Sequence, residues 1–360
     1  MKILQVITSL YTGGAEKIVT DLTLALMKKG HQVDVAVFNG MDTSFKKKLE
    51  DNGCHVICFS KNGSPYNPVC ILKLIRIMRH YDVVHTHNTS AQYYTAIANM
   101  FCHRQLVTTE HSTNNRRRSK KWLGCVDRWM YRQYGKVVCI SDIAQKMLED
   151  YIQTKSVDVC TINNGVEVDR FYYAQPIGGM KGDNDFVVTM VAGLKEAKDH
   201  ETLIRAISLL PDEYKLWLVG DGTRRGLLES LVDELQIKDR VRFLGFRDDI
   251  PNVLKTTDVI VMSSHWEGLS LSNIEGMSSK KPFIASNVNG LKEVTEGYGI
   301  LFPHQDAEAL AAEIKHLHDD RTYYDSVADA CYERAKQFDI SKMVDGYEDV
   351  YKELTKTNEA

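Results

Sequence analysis

Short apolar runs rich in β-branched residues recur along this chain, halt at one Gly-rich stretch, and begin again. The first series is KILQVIT (2–8), QVDVAVF (32–38), HVICFS (55–60), DVVHTH (82–87), QLVTTE (105–110), KVVCIS (136–141) and VDVCTI (157–162). Several of these runs are continuous rather than alternating, which suits strands buried on both faces of a parallel sheet. Segments with helical spacing separate most of them, such as 15–29, 69–80 and 120–134. The break, YYAQPIGGMKGDND (172–185), has no periodicity and reads as a linker. After it come FVVTMVA (186–192), KLWLVG (215–220), VRFLG (241–245), DVIVMSS (258–264), PFIAS (282–286) and GILF (299–302). The tail, 340–354, has the pattern of one amphipathic helix. The chain is therefore expected to be α/β: two Rossmann-like, doubly wound parallel-sheet domains facing each other across a cleft. They span residues 1–175 and 186–339, and a C-terminal helix at 340–360 packs back on the first domain.

Composition narrows the classes of function. A length of 360 residues fits two domains, and 43% hydrophobic with 26% charged residues is a globular balance. The net charge of -3 gives no reason to expect nucleic acid as a partner. No apolar run is long enough for a membrane-spanning helix, and the N-terminal residues alternate too much for a signal peptide. Eight cysteines lie scattered in apolar strands with no CxxC pair, which points to buried thiols in a reducing cytosol and to neither zinc nor redox motifs.

In doubly wound sheets, ligands bind outside the carboxyl ends of the strands. After the first strand come Gly13 and Gly14 at a helix start, where free N–H groups can meet a phosphate or sugar; GxGxxG spacing is not met. Two neighbouring strands end on His85, His87 and Asn88, and on Glu110, His111 and Ser112. His87 and His111 are candidate cleft residues, with His85 and His87 assigned to opposite strand faces. In the second half, Lys195 and Lys198 follow a strand, and Asp199 is placed to cap the next helix, where a lysine could hold a diphosphate. Gly220-Asp221-Gly222 makes a tight turn that structure alone could explain, while Gly245-Phe246 could offer backbone groups and a ring to a base.

The stretch SSHWEGLSLSNIEG (263–276) runs from a strand into Trp266-Glu267-Gly268 and then a helix beginning near Ser270 or Ser272. Glu267 belongs to the loop at the strand's carboxyl end, and Glu275 lies about one turn into the helix. Ser272-x-x-Glu275 also spells a capping box, a purely structural account of Glu275 that leaves Glu267 unexplained.

GGAEK, TTEHS, VCIS, NNGVEVDRF, LVGDGTRRGLLE, FLGF and EGLSLSNIEG occur in that order. Together they resemble the retaining nucleotide-sugar glycosyltransferases of family 4, with the fold called GT-B, along essentially the whole chain. The resemblance implies a nucleotide-diphosphate sugar donor, UDP- or GDP-linked, held by the C-terminal domain and a glycan or lipid-linked acceptor held by the N-terminal one. It implies that Glu275 meets the ribose hydroxyls and Glu267 the transferred sugar. Gly268, Leu269 and Ser270 would present backbone N–H groups, Lys198 would hold the diphosphate, and His111 would face the sugar. Gly13 and Gly14 would lie near the diphosphate, with neither metal nor cofactor required. In one departure, Gly193 stands where the family often has arginine, and Lys195, Arg224 or Arg225 could substitute.

Arg116, Arg117, Arg118, Lys120 and Lys121 follow His111 and precede Trp122, Leu123, Trp129 and Met130. This pattern suits either a solvated helix start or peripheral contact with an anionic membrane. The expectation is a cytoplasmic enzyme of polysaccharide biosynthesis at the inner face of the cell membrane. The alternatives are a nucleotide-sugar epimerase on the same architecture and a non-catalytic nucleotide-sugar binder.

Overall fold

The computed structural model describes residues 1–11, 13–64, 66–111, 123–154, 156–268 and 270–356. The chain forms two compact units, one of Met1–Gly165 with Ile340–Ala360 and one of Val166–Asp339.

In the first unit the elements run β1 (Lys2–Ser9), α1 (Gly14–Lys28), β2 (Gln32–Asn39), α2 (Ser44–Asp51), β3 (Val56–Ser60), α3 (Val69–Met78), β4 (Val83–His87) and α4 (Thr89–Asn99). They continue β5 (Gln105–Glu110), α5 (Leu123–Tyr131), β6 (Lys136–Cys139), α6 (Asp142–Ile152) and β7 (Val159–Thr161). The sheet is parallel, in the order β3-β2-β1-β4-β5-β6-β7. Every residue of β4 is buried, as continuous apolar runs require of a strand covered on both faces.

The second unit begins with α7 (Val168–Tyr172) and β8 (Phe186–Val191), then α8 (His200–Ser208), β9 (Tyr214–Val219), α9 (Arg225–Glu234), β10 (Val241–Gly245) and α10 (Ile250–Thr256). It continues β11 (Val259–Met262), α11 (Leu271–Ser278), β12 (Phe283–Ser286), α12 (Lys292–Thr295), β13 (Ile300–Phe302), α13 (Ala307–Asp319) and α14 (Arg321–Ala335). Its sheet is also parallel, in the order β10-β9-β8-β11-β12-β13. Strand order therefore reverses once in each unit, between β1 and β4 and between β8 and β11. Those are the switch points at which a crevice opens beyond the strand ends.

The boundary after residue 175 is corrected by the structure to 165/166. Val166, Val168 and Phe171 are each no more than 3% exposed and sit in the second unit's core. The stretch read as a linker packs there as well: Ile177 and Met180 lie against Val187, Trp217 and Val253. An apolar residue every few positions anchors a segment whose Gly and Asp content suggested a free connection. Helix α15 (Ile340–Lys356) returns to the first unit and packs on α1 and β5, burying Tyr347 and Tyr351 completely. Cys54, Cys70, Cys102, Cys139 and Cys331 are buried; Cys58 and Cys125 are exposed, which corrects the expectation for those two. Cys58 lies on β3, the edge strand, where one face is less covered.

Candidate functional site

At the switch point of the second unit, two loops bring distant residues together. The loop after β8 closes in a single turn of 3₁₀ helix, Glu196–Lys198, and Asp199 then caps α8 by accepting from the Thr202 N–H at 3.3 Å. Lys198 Nζ forms an ion pair with Glu267 Oε1, and Ser264 Oγ donates to the same oxygen at 2.7 Å. Only 11% of the Glu267 side chain is exposed, so the carboxylate is held from two sides. Ser263 Oγ donates to the carbonyls of Lys198 and Asp199, at 3.3 and 2.7 Å, which locks the two loops to each other.

The Glu267 loop rests on Gly290, a residue absent from the sequence-based candidates. Its φ is +88°, and a Cβ there would stand 2.3 Å from the carbonyl oxygens of both Glu267 and Gly268. Only glycine permits that backbone and that approach. The Asn289-Gly290 pair was the available signal, since Asn-Gly marks turns. Above the loop there is room: a Cβ on Gly268 would meet nothing within 4 Å.

Helix α11 starts at Leu271 with Ser270 as its N-cap residue, which makes no side-chain cap bond. Ser272 is therefore already helical, and the capping-box account of Glu275 does not hold: a box needs its serine at the N-cap. Glu275 is 7% exposed, five residues into the helix. Gly220 has φ +131°, and a Cβ there would lie 2.2 Å from the Ala192 carbonyl oxygen, so the GDG turn is required by packing. Phe246 and Trp266 are 72% and 59% exposed. Lys195 is exposed, and its side chain pairs with no acidic group among the described residues. Arg224 is engaged by Glu201, and Arg225 by Glu229 at 2.8 Å.

At the switch point of the first unit, Gly13 is the N-cap residue of α1, and Glu16 folds back over it. Burial pushes the Glu16 carboxyl above its usual range, opposed by hydrogen bonds from its own backbone and from Asn88. Glu16 was not among the sequence candidates. Gly14 faces open space. Beyond β4 and β5, His87 Nδ1 lies 2.9 Å from His111 Nε2, and His87 Nε2 lies 2.8 Å from Gln5 Oε1. An amide oxygen only accepts, so His87 carries its proton on Nε2 and its Nδ1 accepts from His111 Nε2–H. His111 Nδ1 is left as a lone pair. Burial drives His85 and His87 well below their usual range, aided by the neighbouring histidines, and drives His111 down to about 4, so all three are neutral near pH 7.

The assignment of His85 and His87 to opposite faces is corrected: residues two apart on a strand share a face, and these rings lie 4.1 Å apart. Leu269 and the basic group Arg116, Arg117 and Arg118 lie outside the described residues. No helix among the described residues is long and apolar enough to cross a membrane.

A family model described as "Glycosyl transferases group 1" matches residues 178–338, and one described as "Glycosyltransferase Family 4" matches residues 12–170. Among curated relatives, the UDP-Gal:alpha-D-GlcNAc-diphosphoundecaprenol alpha-1,3-galactosyltransferase of Escherichia coli is 27% identical, spanning 79% of this chain and 78% of its own. The N-acetyl-alpha-D-glucosaminyl L-malate synthase of Bacillus anthracis is 23% identical, over 94% and 93%. Among solved structures, Anabaena Alr3699/HepE in complex with UDP superposes with a TM-score of 0.85 at 23% identity, covering 98% of this chain and all of that one. That likeness shows a shared fold, the GT-B architecture of two Rossmann-like units. With both halves matched, the chain belongs to the family 4 glycosyltransferases.

Proposed function

We propose that this enzyme transfers a hexose, with retention at the anomeric carbon, from a UDP-sugar to a glycan or lipid-linked acceptor. The observation that carries the reading is the Lys198–Glu267 pair, assembled at the β8/β11 switch point from residues 69 positions apart. An ammonium has three donors, so Lys198 can hold Glu267 and a phosphate oxygen at once. Glu267 meets the hydroxyls of the transferred sugar, while Gly268 and Ser270 direct backbone N–H groups of the α11 terminus at the sugar and diphosphate. Glu275 accepts from the ribose hydroxyls. Gly220 shapes the adjoining turn, and Phe246 offers its ring to the base. In the first unit, Gly13 and Gly14 leave the start of α1 open to a ligand, and His87 orients His111 so that its Nδ1 lone pair can accept from a ligand hydroxyl.

In the transfer, the bond between the anomeric carbon and the phosphate oxygen breaks as negative charge grows on the diphosphate, which Lys198 and the helix amides stabilise. The acceptor oxygen bonds to the same face of that carbon, and its proton passes to the departing phosphate. These groups supply the positive charge that other transferases draw from a metal. Relatives named for UDP-galactose and solved with UDP support the uridine donor.

The test is titration calorimetry with UDP and UDP-hexoses, followed by turnover with a polyprenyl-diphosphate sugar. Glu275→Ala is expected to lose UDP binding at least tenfold. Lys198→Met is expected to lose about 10²–10³-fold in kcat. Binding that ignores Glu275, or UDP release equal with and without acceptor, would overturn the reading; the latter outcome suits an epimerase-like or hydrolytic site.

A lipid-linked acceptor places the enzyme at the inner face of the cell membrane, with Arg116, Arg117 and Arg118 as the anionic-lipid contact. Association with vesicles containing anionic lipid is expected to fall steeply with salt and with Ala at all three positions. Salt-independent association, unchanged in the variant, would remove this contact.

A further inference from the structure

We propose that Asp199, His265 and His304 form a site for a zinc-class divalent cation, beside the donor site and distinct from it. Each offers one ligand atom, and the three atoms lie within 4.8 Å of one another. His265 Nδ1 stands 2.8 Å from His304 Nε2 and 3.7 Å from Asp199 Oδ2. A tetrahedral zinc with ligands at about 2.0–2.1 Å spaces them roughly 3.3 Å apart, between those two separations. The third separation, between Asp199 and His304, is at most 4.8 Å, and rotation of the exposed His304 side chain would bring that atom in to seat the ion.

The donor set is chemically selective. Two imidazoles and one carboxylate suit zinc, cobalt or nickel, whereas magnesium and calcium prefer all-oxygen sites. Without an ion, His265 Nδ1 lies within hydrogen-bond distance of the His304 ring nitrogen but not of Asp199 Oδ2, 3.7 Å away. A cation accepts all three lone pairs together.

The ligands are also held in place by groups that do not themselves bind. Thr202 donates to both Asp199 oxygens, from its N–H at 3.3 Å and its hydroxyl at 2.7 Å, and such outer partners orient metal-binding carboxylates. The His265 backbone N–H donates to the Ala197 carbonyl at 2.9 Å, which holds the main chain at that position. Asp199 is buried, His265 half-buried and His304 exposed, so two ligands are fixed and the third can close from solvent. Three protein ligands leave a fourth position for water. Asp199 adjoins Lys198, and His265 is two residues from Glu267, so a bound ion would cross-link the loops that carry the catalytic pair.

The experiment uses the full chain stripped of metal, with zinc and cobalt salts as probes. Equilibrium dialysis should find one zinc per chain, and cobalt should give the visible spectrum of a nitrogen- and oxygen-ligated tetrahedral ion. His304→Ala, at an exposed position, should keep its circular dichroism and lose roughly tenfold or more in zinc affinity. Asp199→Asn, which keeps the helix cap, should do likewise. Cys58→Ser with Cys125→Ser should bind as the parent does. No zinc bound at micromolar concentration, or affinity unchanged in His304→Ala, would overturn the proposal and leave a hydrogen-bonded histidine pair.

Discussion

At Gly193, the absence of a side chain leaves room beside Lys195, whose Cε would lie 3.8 Å from an added Cβ. A Cβ there would find its nearest neighbour, the Asp221 carbonyl oxygen, at 3.7 Å, which is ordinary contact. Arg224 and Arg225 are already paired with carboxylates, so of the three cations weighed as substitutes for an arginine here we propose Lys195. Gly193→Arg is therefore expected to fold normally and to tighten UDP binding by roughly tenfold, the worth of one charge-assisted bond. Unchanged affinity by calorimetry would mean that the position does not face the diphosphate. The candidate residues themselves were legible, because glutamate, lysine and histidine at strand ends are conspicuous in doubly wound patterns. Their partnerships were not. Nothing in a one-dimensional pattern ties Lys198 to Glu267, or sets Gly290 beneath the glutamate's loop.

Among the elements, the strands were the most legible, since a run such as VVHTH is buried on both faces and little else can form it. Helix starts were less so. Two serines compete to cap α11, and only the backbone shows that Ser270 holds the position. Helix α15 illustrates how location decides energy. Glu348 on its surface pairs with Lys29, His31 and Lys352, and these bonds hold its carboxyl down at about 2. Tyr351, fully buried, sits with its hydroxyl 2.7 Å from His85 Nδ1, while Thr109 Oγ1 lies 2.8 Å from the other nitrogen of that ring. Partly solvated ion pairs contribute about 1 kcal/mol or less, whereas an orphaned buried nitrogen costs about 1–3 kcal/mol. Urea denaturation should accordingly show Tyr351→Phe more destabilised than Glu348→Gln. The reverse order would place the helix's anchoring on its charged face.

The whole molecule carries an asymmetry in its buried histidines. His85, His87 and His111 lie in the first unit, and His200, whose burial holds it at about 4, lies in the second. Each has a lower pKa folded than unfolded, so the unfolded chain binds more protons below pH 6.5. Stability is then present above 6.5 and lost as pH falls toward 4, at up to about 1.4 kcal/mol per pH unit for each group. Three groups against one make the first unit the more acid-labile. Hydrogen exchange at pH 5 should accelerate in its strands before those of the second unit, and equal acceleration would contradict this account. The division into units was only coarsely legible, because the Gly-rich stretch marks a change of composition while the chain crosses earlier, where valines enter the second core.

The crossings at 165/166 and 339/340 have a consequence for how the chain is made. The Val166 N–H donates to the Phe338 carbonyl at 3.0 Å, and Gly165 lies against Ile340, so the second unit is an insertion whose two ends meet. On the ribosome the first 165 residues emerge without the helix that carries Tyr347 and Tyr351. At 5–20 residues per second, synthesis of the intervening 174 residues (339 − 166 + 1) takes roughly 10–35 s. Through that interval the His85 side of the first sheet waits uncovered while the inserted unit closes on itself. Helix α15 thus completes a core begun before the inserted unit, and a product truncated ahead of that helix would expose that face to chaperones and proteases.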